Sequence, residues 1–369
     1  MNPLKQLDAC GQAPWLDYLR RSLIGSGALA RMIEQDGLKG VTSNPSIFEK
    51  AIGGSDEYAG AIKLFLAAGD QSAAAIYEHL AIADIRAGAD VLRGVYDRTQ
   101  RRDGYISLEC SPYLANDTPG TIAEGLRLWA SVDRPNLMVK VPATAAGIPA
   151  IRHLTGRGLN INITLLFSVS VYEQVAEAYI AGLEDMAKDG GDVSKIASVA
   201  SFFVSRIDAV IDKRLGDKAA VELRGKTGIA NAKVAYARYL ELFSGPRWQR
   251  MAAKGARTQR LLWASTGVKD KAYKDTMYVE ALIGRDTVDT IPPATMDAFR
   301  DHGVVVADAI AQDVAAARAV LAALDRHGIS LPLVAETLVQ DGVKLFADAF
   351  DTLFAAIETL RQASLAAKP

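Results

Sequence analysis

A lysine interrupts the apolar run at residues 136–144, NLMVKVPAT. Drawn as a β-strand, this run puts Val139 and Val141 on one face and Met138, Lys140 and Pro142 on the other, so the ammonium has no polar side to occupy. Other strand-like runs offer polar residues that share a face. In YISLEC, Ser107 and Glu109 lie together, opposite Leu108 and Cys110. In LNINIT, Asn160, Asn162 and Thr164 form a stripe. VASFFV aligns Ser201 with Phe203, LLWAST aligns Trp263 with Ser265, and Asp17 sits near the end of PWLDY. Taken singly, an Asn or Ser at a strand end more often satisfies a loop amide than meets a ligand. An interior ion pair of Lys140 with Glu109 or Asp17 stands beside a catalytic reading. Their convergence matters more, because so many buried polar groups need a polar ligand or ordered water to complete them.

Burial disfavours an ammonium, and enzymes lower a lysine from about 10.4 toward roughly 7 to 8, where free amine is present. Such an amine can attack a ketone. The resulting protonated Schiff base draws electrons from the adjacent carbon, so a carbon–carbon bond one atom further on can break without a metal to hold the enolate. Expelling water from the adduct and deprotonating the substrate hydroxyl call for two carboxylates, and Glu109 and Asp17 are available.

These residues must be positioned by the elements that carry them. Eight short apolar runs alternate with helical stretches such as residues 121–130 and 169–187: PWLDY, LKGVTSNP, GYISLEC, NLMVKVP, LNINITLLF, IASVASFFV, RLLWASTG and DTVDTIPP. Strand and helix in repeated alternation, without hairpin turns, require parallel strands with crossovers. Eight strands close a (β/α)8 barrel, whose active sites lie at the carboxyl ends of the strands. An open doubly wound sheet is the alternative. The stretch between residues 46 and 102 is long for one crossover and predicts added helices around DEYAGAIKLFL and SAAAIYEHLAIADIRAGADVL. From Asp308 onward the pattern is helical, with GISLPL as a break between two helices packed on the barrel. The expectation is one domain over residues 1–369, with the barrel at about 13–307 and terminal helices at about 308–365. GSGALA at residues 25–30 has the glycine spacing of a dinucleotide loop, but the polar DYLRRSLI before it is no buried strand. It is read as a turn with Ser26 or Gly27 at the start of the next helix.

Half of the 369 residues are hydrophobic, and 42 basic against 43 acidic side chains give no attraction for nucleic acid or membrane. The amino terminus lacks the features of a signal peptide, and a cytoplasmic location is expected. Two cysteines, Cys10 and Cys110, and four scattered histidines, His79, His153, His302 and His327, make a disulfide framework or metal site unexpected.

Four blocks in order, GVTSNPSIF, MVKVPAT, GLNINITLLFS and SFFVSRID, together resemble transaldolase, a class I aldolase-type transferase. The resemblance implies a (β/α)8 barrel of the pentose phosphate pathway that needs no cofactor. It moves a dihydroxyacetone unit from sedoheptulose 7-phosphate to glyceraldehyde 3-phosphate, giving erythrose 4-phosphate and fructose 6-phosphate. Carried over, Lys140 forms the Schiff base and Asp17 removes and returns the proton of the hydroxyl beside the broken bond. Glu109, through a water also held by Thr164, serves proton transfers at the carbinolamine. Asn44, Asn162 and Ser201 hydrogen-bond the dihydroxyacetone hydroxyls, Phe203 lines the pocket, and Arg206 and Ser265 hold phosphate. Many family members carry an arginine shortly after the residue matching Ser265. Here the sequence reads STGVKD, so Lys269 is the expected substitute, with a solvated loop lysine as the alternative. Some relatives are joined to a phosphoglucose isomerase domain, for which this chain is too short, and no isomerase activity is expected. The implied partners are small sugar phosphates, in a monomer or homodimer. The alternatives are a simple class I aldolase acting on fructose 6-phosphate and a non-catalytic sugar-phosphate-binding barrel.

Overall fold

The structure, a computed structural model, describes residues 2–216 and 221–366. Eight strands form a closed parallel barrel in sequence order: β1 (Gln12–Asp17), β2 (Gly40–Thr42), β3 (Tyr105–Glu109), β4 (Leu137–Pro142), β5 (Ile161–Leu166), β6 (Ser198–Phe203), β7 (Arg260–Ala264) and β8 (Thr287–Ile291). β8 pairs with β1 to close the cylinder. Each of the eight runs read as a strand forms one.

The alternation within these strands separates two apolar layers. Trp15, Tyr105, Met138, Val199, Leu262 and Val288 fill the lower interior. Val139, Val141, Ile161, Ile163, Phe202 and Trp263 point outward, into the layer between barrel and helices. Packing is tight enough to dictate residue type at Gly40: a Cβ there would lie 2.5 Å from the Trp15 indole. Parity therefore sends Lys140, Glu109, Asn162, Thr164, Ser201 and Asp17 inward, and register sets their heights. Lys140 has Glu109 and Asn162 as its Cα partners on either side.

The turn at GSGALA is structural. Gly27, at φ 73°, caps the helix Ala28–Asp36. The long excursion after β2 holds the helix Ala59–Ala67 and the 26-residue helix Ala73–Arg98, close to the added helices expected there. The two terminal helices are Val314–Arg326 and Leu331–Ala366. The second does more than pack on the barrel wall. At 36 residues it runs about 54 Å, and it touches β5, the helix Pro45–Phe48 that follows β2, and the excursion helices. It therefore crosses the carboxyl ends of the strands. Gly342 passes so close to β5 that a Cβ would lie 2.6 Å from Leu165 Cδ2. Further along, Phe350 meets the Tyr77 ring edge-on, and Tyr77 in turn meets Phe48.

Candidate active site

A cavity of about 350 Å³ opens at the carboxyl ends of the strands, within the size range of small-molecule sites. Lys140 lies at its base. Its Nζ stands 2.7 Å from Glu109 Oε1 and donates to the Ser43 carbonyl at 2.9 Å. The ion pair that the sequence left open is thus present with Glu109. Its members are 6% and 8% exposed in their side chains. Burial pushes the Glu109 carboxyl above the ordinary carboxylate range, Lys140 pulls it back and Asp17 adds to the rise. Glu109 Oε2 and Thr164 Oγ1 are both buried without a hydrogen-bond partner among the described residues.

Asp17 ends β1 and faces the cavity. Its Oδ1 accepts from Thr42 Oγ1 at 2.8 Å, and Thr42 Oγ1 lies 2.6 Å from Thr290 Oγ1. Since the Thr42 hydroxyl has a single proton, Thr290 donates to Thr42 and Thr42 to Asp17. Burial raises the Asp17 pKa, opposed by Lys140, the Thr42 hydrogen bond, Arg206 and Lys269.

On the other side of the lysine, Asn162 is fully buried and held from two strands. Its Nδ2 donates to Ser107 Oγ at 3.0 Å and its Oδ1 accepts from Ser201 Oγ at 2.7 Å. Asn44 caps the helix Pro45–Phe48, accepting the Ile47 N–H through Oδ1, which leaves its amide NH2 for a ligand. Arg206 is the second residue of the helix Ser205–Leu215, where backbone N–H groups and the dipole favour an anion. Its guanidinium lies 5.4 Å from the Phe203 ring centroid. Burial lowers its pKa, yet an arginine remains a cation.

All the expected site residues line the cavity except Glu109 and Asn162, which flank Lys140 behind the lining. One expectation needs correction. Ser265 does not share a usable face with Trp263: the indole points outward, β7 ends at Ala264, and Ser265 adopts a left-handed φ of 57° that turns it to the cavity. Its hydroxyl pairs with Ser205 Oγ at 2.9 Å. Lys269, the expected substitute for the arginine, is exposed and lines the cavity. Sequence reasoning missed Thr42, Thr290, Lys50 and Phe346 as lining residues, and Ser107 as the support of Asn162. Parity had already put Ser107 on the face of Glu109, but its bond to Asn162 depends on the register between strands, which a single sequence does not state. Nothing local marks Phe346, which arrives on the terminal helix. Among the described residues, no three His, Cys, Asp or Glu side chains stand together to hold a metal ion.

The family model described as Transaldolase/Fructose-6-phosphate aldolase matches residues 14–357. The chain belongs to this family. Among its curated relatives, "Transaldolase" of Thermobifida fusca (strain YX) is 48% identical over 355 residues, covering 95% of this chain and 96% of the relative. "Transaldolase 1" of Streptomyces coelicolor (strain ATCC BAA-471 / A3(2) / M145) is 48% identical, covering 96% and 93%. "Transaldolase" of Thiobacillus denitrificans (strain ATCC 25259 / T1) is 47% identical, covering 97% and 100%. The family thus extends across the barrel and most of the terminal helix that crosses its mouth.

Proposed function

We propose that this chain is a transaldolase working through a Schiff base on Lys140. The observation that carries the reading is the buried lysine, set between Glu109 and the Ser43 carbonyl at the base of a cavity that Asp17 and three further cations, Lys50, Arg206 and Lys269, also line. The neutral amine attacks the ketose carbonyl. Glu109, with a water shared with Thr164, moves the protons that turn the carbinolamine into an iminium and release water. Asp17 takes the proton of the C4 hydroxyl, the C3–C4 bond breaks, and its electron pair enters the iminium to leave a three-carbon enamine. The aldehyde departs. Reversal with glyceraldehyde 3-phosphate forms the new bond, and hydrolysis frees the amine.

Asn44, Asn162 and Ser201 bind the hydroxyls of the three-carbon unit, and Phe203 walls the pocket. Arg206 offers a planar fork to the phosphate, Lys269 a point charge and Ser265 a hydroxyl. We further infer a cytoplasmic enzyme of small sugar phosphates, as monomer or homodimer, acting on neither nucleic acid nor membrane. The balanced charge supports this, and no described helix is long and apolar enough to cross a membrane.

Borohydride reduction in the presence of fructose 6-phosphate tests the chemistry. A three-carbon adduct is expected on the Lys140 peptide and none in Lys140→Arg. An adduct elsewhere, or an arginine variant with parental turnover, overturns the reading. The family description also spans fructose-6-phosphate aldolase. Turnover that needs an acceptor aldehyde marks the transferase, and release of free dihydroxyacetone marks the aldolase.

A further inference from the structure

The barrel has a second polar cavity at its opposite end, away from Lys140. It measures about 400 Å³ and lies under the amino-terminal ends of β4, β6 and β7. Four arginines reach it: Arg101 and Arg102 from the turn before β3, Arg257 from the segment before β7, and Arg260 at the start of β7. The chain as a whole carries a formal charge of −1, so this is a local concentration.

Only part of that charge is compensated. Arg102 pairs with Asp286 at 2.5 Å and Arg260 with Asp103 at 2.8 Å. Arg257 donates to the Gln100 carbonyl, and the Arg101 guanidinium has no hydrogen-bond or ion-pair partner among the described residues. Four guanidiniums against two carboxylates leave two positive charges. Arg260 is only 6% exposed, and its Nη1 is buried without a partner. Such an unmet guanidinium donor is costly unless an acceptor reaches it.

The backbone supplies a separate observation. Gln100 and Arg101 are consecutive non-glycine residues in left-handed conformation, at φ 51° and 68°, each costing on the order of 1 kcal/mol or more. The surroundings hold them there. Arg101 N donates to the Tyr96 carbonyl at 2.7 Å, the Tyr105 hydroxyl donates to the Arg101 carbonyl at 2.6 Å, and Arg260 Nη2 donates to the Arg102 carbonyl at 2.6 Å. A strained turn fixed from three sides sets the backbone from which Arg101 and Arg102 project, and the buried Arg260 is itself held by Asp103, so part of the ordering cost of binding is already met.

We propose that this basal cavity binds a phosphate dianion, as inorganic phosphate or as the head of a small monoester. Guanidinium forks match pairs of phosphate oxygens, a tetrahedral dianion accepts from several forks at once, and its charge equals the excess here. The site is independent of the transferase reading, since none of its residues lines the upper cavity.

The test is backbone amide exchange of the whole chain with and without inorganic phosphate. At phosphate ten times its Kd, exchange through local opening of residues 99–103 and 257–260 should slow about ten-fold. The protection should survive in Arg206→Ala, which weakens the upper anion site, and disappear in the Arg101→Ala/Arg257→Ala double variant. That variant spares the buried Arg260–Asp103 pair and should keep parental turnover. The corresponding double lysine variant retains charge but not forks, and should bind more weakly yet measurably. Glucose 6-phosphate, which has no ketone to form a Schiff base, distinguishes the sources. Tighter binding than inorganic phosphate assigns the site to a monoester, and weaker binding assigns it to the free ion. Protection confined to the surroundings of Arg206 overturns the proposal. So does protection that persists in the alanine double variant, or that chloride reproduces at equal ionic strength.

Discussion

Asp17 shows how neighbours tune one proposed base. Burial raises its pKa, so as pH falls the carboxyl takes up a proton before an ordinary aspartate does and can no longer accept the substrate's. The acid limb of kcat/KM should therefore lie above the usual carboxylate range. Thr42→Val removes a hydrogen bond that favours the charged form, and should move that limb to higher pH with little change in the plateau. Asp17→Asn should abolish the limb and lower kcat by about 10²–10⁴-fold, while borohydride still traps the adduct on Lys140. Equal loss of trapping and turnover would contradict the division of labour between the two carboxylates. Lys140, Glu109 and the Asn162–Thr164 stripe were legible in sequence because strand alternation is rigid: once one inward residue is known, its neighbours at i±2 follow. The Thr290–Thr42–Asp17 relay was not legible, because it joins three strands whose relative register a single sequence does not state. Ser265 reached the right place for the wrong reason. Its left-handed φ breaks the alternation on which the reading relied.

Among the elements, the helix Leu331–Ala366 couples stability to the site. It packs Gly342 on Leu165, itself left-handed at φ 59° where the β5–β6 register shifts, and one turn later sets Phe346 into the cavity wall. In Gly342→Ala the added methyl would meet Leu165 Cδ2 at 2.6 Å, so either the leucine or the helix must move. Overpacking of this kind costs about 1–3 kcal/mol, against which alanine inside a helix gains roughly 1 kcal/mol over glycine, so a net loss of up to about 2 kcal/mol is expected, and any displacement of the helix carries Phe346 with it. Denaturant unfolding should show the loss of stability, and kinetics should show a raised KM for the sugar phosphate. A variant with parental stability and parental KM would mean that the helix is not held at this crossing. The sequence announced two terminal helices and the break between them. It did not announce that one crosses the active-site mouth, because an amphipathic pattern identifies a buried face and not what covers it.

Across the whole molecule, buried carboxyls make folding oppose their ionisation, and Asp289 does so most plainly. It lies on β8, outside the cavity and fully buried, with Thr266 Oγ1 donating to Oδ1 at 3.0 Å and Oδ2 without a partner among the described residues. Burial pushes its pKa up to about 8, against a reference of 3.8. The sequence could not have singled it out. DTVDTI places polar residues on both faces of the strand, and only the closed barrel decides that Thr290 looks into the cavity while Asp289 looks into the helix layer. Below pH 4 both folded and unfolded chains keep this proton, and the group has no effect on stability. Between pH 4 and 8 the unfolded chain releases the proton while the folded chain holds it. The native state then binds more protons, and stability falls as pH rises. Asp208, raised to about 6 by burial, contributes the same sign over a lower window and is complete by pH 7. Asp289→Asn keeps an acceptor for Thr266 and removes the charge. Its stability advantage over the parent should be negligible at pH 4 and grow steadily to pH 8, reaching on the order of a few kcal/mol at about 1.4 kcal/mol per pKa unit. Thermal unfolding of both proteins across this range is the measurement. The interval from pH 6 to 8 decides it, because Asp208 and the histidines, common to both chains, cancel in the difference and leave Asp289 alone to slope it. A constant offset between variant and parent from pH 6 to 8 would mean that Asp289 is already ionised in the folded protein, and that the β8 wall solvates a charge its neighbours do not visibly provide for.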